Sequence, residues 1–212
     1  MEELDLLKKA WQKDEHSFSQ VSEVEIYKML HTKSSSIVKW ILIISILEVL
    51  LWTAFSVLFN TDEYFKNMQN VSLIIYFKVF NYLNYVVILG FIYCFYKNYL
   101  KISTTDSTKN LMKDILRTRR TVQYYVWYNL AMMTLSMFMG FALQFLYNPE
   151  MTILKDKIAH ENGNITLIIT VCIVLFTTII FVGLFWLFYK LLYGILLKKL
   201  NNNYKELKKI DL

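Results

Sequence analysis

The chain has 212 residues, 56% of them apolar and 17% aromatic, with one proline, a mean hydropathy of +0.35 and a formal net charge of +6. The apolar residues gather in four blocks of roughly 20 or more, the length that matches a hydrocarbon core about 30 Å thick, which excludes an ordinary soluble domain. The basic excess lies outside those blocks and follows membrane topology, so it gives no ground for a nucleic-acid surface; Cys94 and Cys172 fall inside them, as two buried thiols rather than a disulfide or metal framework.

Residues 1–36 read as a cytoplasmic helical segment. Met1–Gln20 mixes acids and bases without a hydrophobic core, so no cleavable signal peptide is expected and block 37–59 serves as the first insertion signal. Leu4, Leu7, Ala10 and Trp11 share one helical face. Ser22 followed by Glu25 has the form of a capping box, opening a second helix toward Val24, Tyr27 and Met29. These apolar residues are too few for a core of their own. The segment must pack on the membrane part, on a second copy, or on another protein.

Block 37–59 carries Glu48 at its middle. An ionised carboxylate there costs roughly 2.5–3.5 kcal/mol on insertion scales, so a partner is expected. The return block 72–96 completes a first hairpin, residues 37–96, and carries Lys78, Asn81 and Asn84 at intervals of three, on one face. At 1.5 Å per residue, Glu48 and Asn84 lie roughly 16 and 18 Å from the outer ends of their blocks, so the two are expected to be level and hydrogen-bonded. This face reads as interhelical glue, with an ion or proton path as the alternative. One acid is thin for a relay.

Residues 97–121 form a basic connector with seven Lys and Arg against Asp106 and Asp114. Thr105, Asp106 and Ser107 are N-cap candidates, and Leu111, Met112, Ile115 and Leu116 then recur at helical spacing. This amphipathic helix either lies in the interface or runs straight into the third block. The second hairpin, residues 122–189, has Ser136 and Gly140 in small-xxx-small spacing and then Asn148-Pro149 as a stop. Its last block is free of charge, and the helix is expected to continue into a tail, residues 190–212, along Tyr193, Leu196, Leu200, Tyr204 and Leu207. Trp40, Trp127, Trp186, Tyr96, Tyr124, Tyr125, Tyr128 and Tyr189 crowd the block ends as interfacial anchors.

Lys and Arg number eighteen before, between and after the two hairpins and three in the other two loops. By the positive-inside rule this predicts an all-α polytopic membrane protein, four transmembrane helices in two hairpins, with both termini in the cytoplasm. Leu4, Leu7, Trp11, Leu111, Ile115, Leu200 and Leu207 are the candidate partner face on that side. It would meet a cytoplasmic protein or a second copy of the chain, with the lipid bilayer as the constant partner. No catalytic motif, cofactor site or metal site is expected.

At residues 34–48 (SSSIVKWILIISILE) and 102–129 (ISTTDSTKNLMKDILRTRRTVQYYVWYN) the sequence resembles uncharacterised four-pass membrane proteins of flavobacteria and related bacteria. Members of that family often carry the inherited label β-carotene 15,15′-monooxygenase. A non-haem iron oxygenase gathers several histidines on its metal. Here His16 and His31 fall before the first block and His160 in the loop on the opposite side. The resemblance therefore implies a multi-pass protein of a bacterial inner membrane and no enzyme. A helical cytoplasmic segment ahead of membrane spans is also similar in layout to membrane-bound anti-sigma factors. The function expected is a non-enzymatic regulatory or scaffold protein, with a small transporter or channel built on Glu48, Lys78, Asn81 and Asn84 as the alternative.

Overall fold

The computed structural model describes residues 22–58, 71–147, 151–159 and 163–210. The described residues are helical throughout, apart from Ser22 and the turn at residues 105–107. The long elements are α1 (Glu23–Leu58), α2 (Val71–Thr104), α3 (Thr108–Tyr147) and α5 (Gly163–Tyr189). A short α4 (Thr152–Ala159) precedes α5; a π-helical segment (Lys190–Gly194) follows it and leads into α6 (Ile195–Ile210). With five glycines and one proline in the chain, little interrupts a helix once it starts. Gly163 is needed where it stands, because a Cβ there would overlap the Ile158 carbonyl between α4 and α5.

Each start has a visible cause. Ser22 N–H donates to Glu25 Oε2 at 3.0 Å and Glu25 N–H to Ser22 Oγ at 3.3 Å, the reciprocal pair of a capping box at the head of α1. At the second turn, the Leu111 N–H donates to the Ser107 carbonyl at 2.9 Å and α3 begins one residue after Ser107. The basic connector is therefore no separate element. It is the end of α2, a three-residue turn and the start of α3, which runs on into the third apolar block. α1 likewise runs without a break through residue 36, where apolar block 37–59 begins.

α1 packs beside α2, α2 beside α3, and α3 beside α5 and α6, while α6 closes back on α1. At 1.5 Å per residue, α1 is about 54 Å long and α3 about 60 Å, roughly twice a hydrocarbon core. The excess lies toward the end holding Glu23, Thr104, Thr108 and Ile210, called here the basic end. The core sits there. Val38, Ile41, Phe95, Ile102, Leu111, Ile115, Val122, Leu200 and Leu207 have no exposure at all.

Four hydrogen bonds close the ring of helices around that core. Tyr27 Oη donates to the Thr105 carbonyl at 2.9 Å, and Asn98 Nδ2 to Thr121 Oγ1 at 3.3 Å. Arg119 Nη1 donates to Asn201 Oδ1 at 2.6 Å, and Asn203 Nδ2 to Ser34 Oγ at 3.0 Å. Such pairs fix which helix faces which, because a register slip would strand a buried polar group.

Away from the basic end the helices expose long apolar faces, among them Leu50, Val86, Ile173 and Ile179. Cys94 and Cys172 are exposed on these faces, not buried. Trp40, Trp127, Trp186, Tyr96 and Tyr124 are exposed too, while Tyr125 and Tyr189 are turned inward. A Cβ at Gly140 would meet nothing within 4 Å, so the Ser136–Gly140 pair makes no close helix contact.

Candidate functional site

Glu48 is buried, with 7% of its surface exposed. Its carboxylate accepts from three tyrosines. Tyr125 Oη of α3 donates to Oε2 at 2.9 Å and Tyr193 Oη of the π-helical segment donates to the same oxygen at 3.1 Å. Tyr189 Oη, at the end of α5, donates to Oε1. Three hydroxyls satisfy one carboxylate without a cation, and charge-assisted bonds of this kind are the stronger sort.

Aromatic packing holds the donors. The Tyr189 and Tyr193 rings are stacked, centroids 6.1 Å apart, and Tyr193 meets Tyr125 edge-on at 5.9 Å. Phe91 and Phe95 of α2 abut Tyr125 edge-on at 5.5 and 5.4 Å. The cluster thus gathers α1, α2, α3 and the α5–π–α6 rod at one level. Tyr125 and Tyr189 stand at the ends of blocks 122–147 and 165–189 that adjoin the basic end. The carboxylate is therefore held where the packed basic end meets the apolar half.

Two cavities border it. A chamber of about 230 Å³, walled mostly by apolar side chains, runs from Glu48 and Tyr189 past the polar groups of Asn84 and Asn129 to Ser136. An apolar groove of about 510 Å³ lies between α1 and α5, lined by Leu51, Trp52, Phe55, Leu184 and Phe188 with Glu48 at its edge. Toward the basic end, the fully buried residues Ile41, Val38, Phe95 and Val122 fill the space between the helices. The chamber ends on the tyrosines.

The expected Glu48–Asn84 bond is not formed. Asn84 Oδ1 accepts from Tyr128 Oη at 3.0 Å, while Glu48 is taken by the three tyrosines; a hydroxyl at the end of a long ring reaches further than an amide on a neighbouring helix. Asn81 and Asn84 do border the same chamber as Glu48. Lys78 lies further along α2, exposed, and does not line it.

The candidate partner face divides. Leu4, Leu7 and Trp11 lie outside the described residues. Leu111, Ile115, Leu200 and Leu207 are fully buried in the basic-end core, so they hold the protein's own helices together and cannot serve as an outward docking stripe. Asn201 and Asn203, which look like an interruption of that stripe, instead bond Arg119 and Ser34. Among the described residues no group of three His, Cys, Asp or Glu side chains is placed to hold a metal; His16 and His160 lie outside them.

The class these features define is an all-helical protein with four helices long and apolar enough to cross a membrane, carrying a buried carboxylate–tyrosine cluster. Residues 24–212 match the model of a family described as a domain of unknown function, DUF8845, and the chain belongs to that family. No curated protein and no solved structure matches it.

Proposed function

We propose that this is a non-enzymatic regulatory protein of a bacterial inner membrane, with residues 1–36, 97–121 and 190–212 on the cytoplasmic side. The eighteen-to-three distribution of basic residues supports that orientation. The observation that carries the regulatory reading is the Glu48 cluster. One carboxylate is bonded by hydroxyls from two other helical rods, and both rods continue from the cluster into the basic-end core. A small polar ligand in the chamber competes for those hydroxyls, and losing them loosens the helices that a cytoplasmic protein partner contacts. That partner meets the exposed lysines and arginines of the basic end, because the leucine stripe is buried.

A small transporter is the second reading, favoured by the polar lining that Glu48, Asn81 and Asn84 share in one chamber. The filled core beneath the tyrosines speaks against an open path. Proton and cation flux in proteoliposomes separates the two. The regulatory reading expects no flux from the wild type or from Glu48→Gln. Flux in the wild type that stops in Glu48→Gln would overturn it in favour of transport.

A further inference from the structure

We propose that the groove between α1 and α6 at the basic end binds the headgroup of an anionic phospholipid. It is an open groove of about 1060 Å³, and the cations along it are Lys28 and Lys33 of α1 and Lys199 of α6. All three are exposed, and among the described residues none of them is in an ion pair. Among the described residues the one acid on the groove is Glu25, whose carboxylate accepts from the Ser22 N–H in the capping box and keeps its negative charge. Three lysines against one carboxylate leave the groove with a net positive charge.

Its other wall decides what kind of anion fits. Trp40, Ile37 and Leu196 line the same groove, and Trp40 is 56% exposed at the point where apolar block 37–59 begins. By the helical rise, Trp40 stands about 10 Å beyond Lys33 in the direction of the apolar half. Read from the basic end upward, the groove offers cations and then exposed apolar and aromatic surface. A phospholipid presents the same order, an anionic phosphate and then acyl chains, and tryptophan belongs at the depth between the two. Inorganic phosphate or an acidic peptide would answer the lysines and leave the apolar wall bare. This site stands apart from the Glu48 chamber and does not depend on it.

Native mass spectrometry of the full chain released from detergent tests this, with phosphatidylglycerol, phosphatidylcholine of the same chains, inorganic phosphate and hexaglutamate as probes. The wild type is expected to retain phosphatidylglycerol about tenfold more than phosphatidylcholine, in line with the pull of basic residues on anionic lipid, and to retain neither soluble probe. The triple substitution Lys28→Gln, Lys33→Gln, Lys199→Gln should remove the preference. A control of equal charge change, Lys109→Gln, Lys113→Gln, Lys208→Gln, should keep it. The proposal is overturned by no preference in the wild type, by an unchanged preference in the groove variant, by an equal loss in the control, or by retention of phosphate or hexaglutamate at the level of the lipid.

Discussion

A carboxylate in an apolar helix needs donors, and Glu48 takes three from Tyr125, Tyr189 and Tyr193. Glu48→Leu leaves three buried hydroxyls facing an alkyl chain and should lower stability by about 3 kcal/mol or more. Tyr189→Phe and Tyr193→Phe each remove one bond of three and should cost about 1 kcal/mol, as interhelical hydrogen bonds in membranes are modest. Glu48→Gln keeps a carbonyl acceptor but loses the charge, so it should fall between them. Unfolding in detergent gives all four values, and a Glu48→Leu protein as stable as the wild type would deny the cluster any structural role. Glu48 itself was legible, since a lone acid in an apolar run announces a site. Its partners were not. Tyrosines at block ends look like interfacial anchors, and spacing along one helix carries no information about which ring of another helix turns inward.

At the scale of the element, the π-helical segment absorbs one residue in the last rod. It lies between Tyr189, the end of α5, and α6, whose Leu200, Asn203 and Leu207 are buried. An extra residue per turn usually marks a functional position in a helix. Deleting the exposed Leu191 should restore α-helical winding and leave α6 in nearly the same phase, because four α-helical residues turn about as far as five π-helical ones, so Asn203 still faces Ser34. The expected result is thermal stability close to the wild type with helix content kept, read by circular dichroism; a large loss would mean that the segment does more than absorb one residue. Gly194→Ala should be neutral or stabilising by up to about 1 kcal/mol, because the new Cβ meets only the Lys190 Cγ at 3.5 Å, an ordinary contact. The stripe from Tyr193 to Leu207 was legible as an apolar face of a helix. Its occupant was not, because periodicity shows that a face is covered and not whether the cover comes from the same chain. Here α1 and α3 extend as far as α6 and supply it.

For the whole molecule, four apolar helices follow from block length alone, and the structure has them. The packed basic end was hidden because its core draws a few residues from each of four distant segments, none apolar enough to stand out. Orientation is tested by reporter fusions: positions Asn67 and Asn162 are expected outside, Thr108 and the C-terminus inside. An external signal at Thr108 would contradict the charge argument. The central claim is that the Glu48 cluster holds the basic end together, and hydrogen exchange in nanodiscs tests it most directly. Amides around Leu111–Val122 and Leu200–Leu207, buried and bonded in the wild type, should exchange at least about tenfold faster in a Tyr125→Phe, Tyr193→Phe protein, if the lost bonds weaken that end by about 1.4 kcal/mol or more. Exchange at those amides equal to the wild type, in a variant that has lost two of the three bonds to Glu48, would contradict the account.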